Sequence, residues 1–501
     1  MVFSSPIFLF LFLPVFLLIY FILPRNYRNA LLLLASLFFY AWGEGRLVAI
    51  IIFSTLVDYV AGWAIAMNGF RNRSADADKT LAKDAQRSVA QKTVLFFSIL
   101  TNLLVLAVFK YADFGLENIR LAFEAFGARD LLPTALGITL PLGISFYTFQ
   151  SMSYTIDVYR GNAKATSNII QFATYVTMFP QLVAGPIIRY VDVAKQVVSR
   201  TVTRSLFVSG IRRFAVGLAK KVLIANVVAV PADAIFAMDP TSLSPQVAWF
   251  GAIMYALQIY FDFSGYSDMA IGLGKMLGFT FLENFNYPYI ALSIRDFWRR
   301  WHISLSTWFR DYVYISLGGS RRGSRRTHLN LLFVFFVTGL WHGASWSFVV
   351  WGLFHGLFLI IERVRGGQLV SWLPRPLKHL YVILVVLVGW VLFRSDSLFY
   401  ALGYLQSMVR MSGAWTQTLG PYMTNKLMLV LLVGVIGSAP ILRWFKSLVV
   451  RVRQHFLQSG GATAFELCVS GADIIFVMLL LLVSAMQLAG GTYNPFIYFR
   501  F

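Results

Sequence analysis

Apolar runs long enough to cross a lipid bilayer recur from one end of this chain to the other, and they decide its class before any motif is read. The opening MVFSSPIFLFLFLPVFLLIYFIL is the first, and others follow at about 30–43, 47–67, 93–109, 221–237, 246–261, 329–361, 380–393, 427–443 and 471–489. A hydrocarbon core of about 30 Å needs roughly 20 apolar residues in a helix. The runs are continuous and do not alternate, which excludes barrel strands. A soluble chain of 501 residues, 58% hydrophobic and 13% charged, would have no way to hide so much apolar surface. The expectation is an all-α polytopic membrane protein of roughly eleven spans, with re-entrant and interfacial helices.

The formal charge is +21. On a membrane protein such an excess marks cytoplasmic loops, so no nucleic-acid partner is implied. Arg25 and Arg28 follow the first span, which reads as retained and places the N-terminus outside. Arg71, Arg73, Lys79, Lys83, Arg87 and Lys92 then mark a cytoplasmic loop. So do Arg321, Arg322, Arg325 and Arg326, then Arg363, Arg365, Arg375 and Lys378, then Arg443, Lys446, Arg451 and Arg453. The mixed-charge segment KYADFGLENIR reads as external, as do residues 394–426 and the terminal NPFIYFRF. Cys468 is the one cysteine; it has no internal disulfide partner and reads as a packed thiol. With no repeat and no soluble domain, the chain is one domain, 1–501: N-terminal spans to 160, a core with interfacial helices over 161–363, and C-terminal spans over 364–501.

Several segments break the pattern. Pro141 and Gly143 predict a kinked or broken helix in 132–158, and Gln150, Ser151, Ser153 and Thr155 give its second half a polar stripe suited to interhelical hydrogen bonds. FPQLVAGPIIRY reads as a re-entrant or interfacial turn. Arg204, Arg212, Arg213, Lys220 and Lys221 suggest an amphipathic stretch snorkelling at lipid headgroups. Asp262 and Asp268 are about 240° apart around a helix, so they form no paired-carboxylate site. In 283–326, Ser293 and Asp296 make a helix start signal, and Asp296 and Arg300 an i,i+4 ion pair. Trp298, Trp301, His302 and Leu305 would share one helical face, with Arg295 and Arg299 on a separate basic ridge, as in a helix lying at the cytoplasmic interface.

The stretch TGLWHGASWSFVVWGLFHG, Thr338–Gly356, is central. Gly339 and Gly343 are four apart, as are Gly352 and Gly356, a spacing that lets helices approach closely. The surrounding run is longer than one span needs and should tilt or break near Gly343. Its His342 is an ionisable group at membrane depth, a functional hypothesis by default beside the plainer reading of a structural hydrogen bond. A neutral imidazole accepts a proton from a hydroxyl. His355 would face about 220° away on a continuous helix and reads as a packed or capping residue. His328, His379 and His455 fall in basic loops, leaving His302 as a partner that only the fold would bring near. No HExxH, carboxylate at ligand spacing, GxSxG elbow or P-loop is present, so no metal or permanently bound cofactor is expected.

LPLGISFYTFQSMSYTIDVYRG, FPQLVAGPIIRY, YFDFSGYSDMAIGLGKMLGF, ENFNYPY, FWRRWHISLSTWFRDYVYISLGG and GLWHGASWSFVVWGLFHG occur in that order. In these motifs the chain resembles the membrane-bound O-acyltransferase family, most closely its bacterial alginate O-acetyltransferase branch, over nearly its whole length; residues 395–470 match poorly. The resemblance implies a helical bundle around a central tunnel in the bacterial inner membrane. The family's membrane histidine falls on His342 and its second polar position on His302. It implies acetyl-CoA as the cytoplasmic donor, and an acetyl group passed toward an exported polysaccharide (alginate, with cellulose or peptidoglycan as others). Acetyltransferase partner proteins would sit on the outer side, with membrane lipids around the bundle. Arg295, Arg299 and Arg300 are placed to meet a phosphate-bearing donor or to anchor at headgroups. Trp298, Trp301, Asp311 and Tyr312 are weaker candidates. A polysaccharide or lipid-linked sugar transporter, with His342 as gate or proton relay, is the rival class.

Overall fold

Polar caps and glycine breaks cut the apolar runs into helices. A computed structural model of the chain describes all residues except 69–79, 84, 128–131, 365–371, 411–416, 442–446, 448–450, 453–461, 492, 496 and 498–501. Arg71, Arg73, Lys79, Arg365, Arg443, Lys446, Arg453, His455 and most of the terminal aromatic stretch lie outside the described residues.

The N-terminal helices are α1 (Leu13–Ile22), α2 (Arg28–Glu44), α3 (Val48–Ala66), α4 (Val89–Glu124) and α5 (Ile144–Arg160). A capping box opens α4: the Ser88 hydroxyl accepts from the Gln91 amide while the Gln91 side chain takes the Ser88 N–H. Nothing in α4 then stops it for 36 residues. KYADFGLENIR is therefore helical and belongs to its second half. The break in 132–158 comes at Gly143, whose φ of +76° starts α5. A side chain there would also sit 2.6 Å from the Leu182 carbonyl oxygen. The polar stripe of α5 bonds across helices: Ser153 Oγ lies 3.2 Å from Tyr175 Oη, and Thr155 is 3.3 Å from Ser98, which donates to Asp58 at 2.6 Å.

Next come α6 (Ile169–Thr177), α7 (Phe179–Leu182) and α8 (Tyr190–Val198). The chain from Phe179 to Ile188 is irregular after one helical turn and fully buried. Tyr175 Oη donates to the Ile188 carbonyl at 2.9 Å and the Ile187 amide to Ser304 Oγ at 3.0 Å. That is how non-helical backbone survives at membrane depth.

Helices α9 (Arg204–Ala219) and α10 (Asn226–Phe236) join through a π-turn, Lys220–Ala225, and lie along α11 (Pro245–Met276). Gly217 and Gly265 bring their backbones together: a methyl on either would come within 2.8 Å of the other's carbonyl oxygen. At that spacing four of the five cations of the expected amphipathic stretch, Arg212, Arg213, Lys220 and Lys221, reach carboxylates. Lys221 pairs with Asp262 at 2.6 Å, both buried; Lys220 meets Asp268 at 2.7 Å, and Arg213 meets Asp268 at 2.6 Å and Glu283 at 2.5 Å. Asp262 and Asp268 are thus ion-pair partners on separate faces, as their spacing requires.

The site-bearing helices follow: α12 (Ile294–Arg300), α13 (Ile303–Trp308), α14 (Ser324–His342) and α15 (Trp346–Arg363). After them come α16 (Arg375–Arg394), α17 (Leu398–Val409), α18 (Asn425–Gly437) and α19 (Ala462–Gly490). Helix α17 lies within 394–426, the region read as external; Tyr404 ties it to α11 through the Ala248 carbonyl at 2.8 Å. Cys468 is exposed on α19 and not packed. No strand occurs among the described residues. Six stretches there are long and apolar enough to cross a membrane, one of them holding both α2 and α3, with three shorter apolar helices besides. The chain is a multi-pass, all-helical membrane protein.

Candidate active site

Helix α14 ends at His342 because Gly343 is extended (φ −167°, ψ 156°). The expected break near Gly343 is therefore present, and α15 folds back along α14. Gly339 and Gly352 face each other across that hairpin: a Cβ on Gly352 would stand 2.2 Å from the Phe335 carbonyl oxygen, and one on Gly339 would stand 2.3 Å from that of Phe348.

His342 is 6% exposed. Aromatic rings hold its sides, with centroids 4.8 Å away at Trp341 and 5.0 Å at both Trp351 and Phe393. From α4, the Lys110 ammonium donates to the carbonyl oxygens of Trp341 and His342 at 2.5 and 3.1 Å.

His302 reaches the same place by a different device. The expected single helix carrying Trp298, Trp301, His302 and Leu305 on one face does not form. The chain leaves α12 at Trp301 and turns through a left-handed His302 (φ 44°) into α13. Asn284 holds this turn. Its backbone carbonyl accepts from the Ile303 amide at 3.0 Å, and its side-chain oxygen accepts from Ser304 Oγ at 2.9 Å and lies 3.2 Å from His302 Nδ1. His302 is 1% exposed, and its Nε2 has no hydrogen-bond partner among the described residues. Trp341 packs against both histidines, 6.1 Å from the His302 ring and 4.8 Å from that of His342. Asn284 was not singled out by residue type; it lies in the ENFNYPY motif.

His355 does not join them. Trp351 lies between, 5.0 Å from His342 and 5.3 Å from His355, and Trp298 closes the other side at 5.2 Å. It is the packed residue its position on the run suggested.

A cavity of about 760 Å³ opens between α12–α13 and α14–α15. Arg295, Arg299, Arg363 and Lys378 line it with Glu362, and Trp298, Phe309 and Thr338 line it further along. The Glu362 carboxylate accepts the Ile294 and Arg295 amides at 2.5 and 3.0 Å, fixing the start of α12 and with it Arg295. Thr338 is one helical turn before His342, which does not itself line the cavity. Four further candidates lie elsewhere. Arg300 pairs with Asp296 at 2.9 Å and the Asn286 carbonyl at 3.2 Å. Trp301 packs on Trp390 at 4.8 Å. Asp311 pairs with Arg189 at 2.7 Å, and Tyr312 donates to Asp157 at 2.6 Å. Hydrogen bonds to Asp192 raise the Arg189 guanidinium above its ordinary range.

The family model of the membrane-bound O-acyltransferases matches residues 162–394, which contain both histidines. The chain is 41% identical, over the full length of both, to the Azotobacter vinelandii protein named "Probable alginate O-acetylase AlgI". It belongs to the membrane-bound O-acyltransferase family. A protein of the same name from Pseudomonas aeruginosa is 46% identical over 83% of this chain and 76% of its own. The Helicobacter pylori "Peptidoglycan O-acetyltransferase" is 35% identical over 82% of this chain and 80% of its own. Both histidines lie within the matched segment, each packed against the Trp341 indole.

Proposed function

We propose that this protein is an inner-membrane O-acetyltransferase that takes acetyl groups from cytoplasmic acetyl-CoA and supplies them across the membrane for O-acetylation of an exported polysaccharide, alginate before peptidoglycan or cellulose. The observation that carries the reading is the cavity: four cations stand along it, and Thr338 on its wall is one turn from His342. Cations suit the phosphates of a coenzyme A thioester, and the apolar wall suits its pantetheine arm. On this reading the cavity is the cytoplasmic arm of a tunnel that meets its outer arm at His342. Alginate comes first because two of the relatives above carry it in their names.

In the reaction, an acceptor hydroxyl oxygen attacks the thioester carbonyl carbon while His342 takes its proton. The tetrahedral intermediate collapses with cleavage of the carbon–sulfur bond. The departing thiolate takes the proton back from the imidazolium, leaving an acetyl ester and coenzyme A. His302, held by Asn284, orients the donor or balances developing charge. Membrane-anchored or periplasmic acetyltransferase partners would carry the acetyl group onward to the polymer.

Protein purified in detergent together with its acetyltransferase partners, given acetyl-CoA and alginate oligosaccharides, is expected to release coenzyme A thiol in step with ester formation. Peptidoglycan and cello-oligosaccharide fragments serve as comparators for the acceptor. A sugar transporter would leave the thioester intact, so no thiol release above buffer with any acceptor would overturn the reading. Loss of one charge-assisted contact costs about 1.5–3 kcal/mol. Arg299→Ala is therefore expected to raise the acetyl-CoA KM at least about tenfold with kcat nearly unchanged. Arg300→Ala, outside the cavity, should leave KM as it is.

A further inference from the structure

Three consecutive carbonyls, those of Leu340, Trp341 and His342, close α14 without the following amides that a continuing helix would offer, since the chain is extended at Gly343. Two adjacent side chains of α4 provide donors instead. Lys110 Nζ donates to the Trp341 and His342 carbonyl oxygens at 2.5 and 3.1 Å, and Tyr111 Oη donates to that of Leu340. The third ammonium hydrogen has an acceptor in Ser145 Oγ at 3.2 Å. All three donors of the ammonium are thus matched, and its charge meets the negative end of the helix dipole. An ordinary helix end needs no cation; a glycine turn serves as well. A buried charged side chain is expensive unless it is paired and hydrogen-bonded.

What these two residues hold is the backbone of His342 itself. The rings of Trp341, Trp351 and Phe393 stop the imidazole from tilting, but they do not stop the last helical turn from unwinding or sliding along its axis. The Lys110 and Tyr111 bonds do. We propose that Lys110 and Tyr111 are positioning residues for acyl transfer, clamping the last turn of α14 so that the His342 imidazole keeps one place and orientation. The proposal rests on His342 being the base. A displacement of about 1 Å at a reacting group costs up to about a hundredfold in rate.

The experiment measures kcat and acetyl-CoA KM for Lys110→Met, Lys110→Arg, Tyr111→Phe and His342→Gln, with folded protein quantified by thermal unfolding in detergent. Lys110→Met should lower kcat by about a hundredfold and move KM less than about threefold. Lys110→Arg, which keeps the charge and the donors, should recover most of the loss, and Tyr111→Phe should lower kcat by roughly fivefold to tenfold. A folded Lys110→Met protein with wild-type kcat, or an Arg variant no better than Met, overturns the clamp. If Lys110→Met does not accumulate, Tyr111→Phe decides: a selective kcat loss supports the clamp and an unchanged kcat overturns it. An active His342→Gln protein would instead sink the underlying assignment of the base, which keeps the two failures apart.

Discussion

Replacing His342 with Gln is expected to lower acetyl transfer by about 10²–10⁴, the usual contribution of a general base. Glutamine keeps most of the ring's volume among Trp341, Trp351 and Phe393, whose centroids lie 4.8, 5.0 and 5.0 Å away, so a packing void does not confound the result. What it removes is the atom that accepts a proton. The acetyl-CoA KM should stay within about twofold, because an interaction made in the transition state changes kcat and kcat/KM alike. His302→Gln should cost less, since its role is to orient the donor or balance charge. Its Nδ1 partner predicts a second signature: Asn284→Ala should reproduce the His302 loss, because Asn284 also holds the Ile303 amide and the Ser304 hydroxyl that set the turn. The check is turnover of acetyl-CoA by matched amounts of purified protein. A His342→Gln enzyme with wild-type kcat would show that the proton leaves by another route.

The order of helices and the break beside His342 are legible because they depend on local chemistry. An apolar run too long for one span, with an extended glycine in its middle, has few ways to fold. The turn at His302 is not legible that way. A histidine with φ of 44° is sterically unusual, and what keeps it so is Asn284, eighteen positions earlier in the chain. Lys110 is hidden for the opposite reason. A lysine inside a mixed-charge segment looks like a loop residue, and only the carbonyl ends of a helix some 230 positions later in the chain turn it into a buried cap. The cations at 213, 220 and 221 repeat the lesson, since their partners Asp262, Asp268 and Glu283 lie on α11 or just past its end. Cys468 fails differently: its thiol is exposed on α19, and apolar surroundings in the sequence do not separate an exposed position from a packed one. Local patterns carry the architecture, while the site depends on pairings between distant polar groups.

Gly352→Ala is expected to destabilise the folded protein by about 3 kcal/mol, the upper end of the range for overpacking. The added methyl would lie 2.2 Å from the Phe335 carbonyl oxygen and 3.2 Å from the Gly339 Cα. Both are backbone atoms inside a helix, with no rotamer to change, so the only relief is to push α14 and α15 apart. Gly339→Ala meets the Phe348 carbonyl oxygen at 2.3 Å from the other side of the contact and should cost as much. Gly356→Ala is the control on the same helix: its methyl would find the Phe335 Cβ at 3.2 Å and Leu332 Cδ2 at 3.4 Å, a tight contact that a small shift of those side chains relieves, and should cost less than about 1 kcal/mol. Thermal unfolding in detergent, followed by helical circular dichroism, should place the 339 and 352 variants well below the 356 variant. Since His342 ends α14 and Trp351 packs against it from α15, separation of the hairpin should also lower turnover in whatever fraction remains folded. Equal stability of the 352 and 356 variants would mean that the hairpin is not held by backbone contact, and the small residues of this run would then need another explanation.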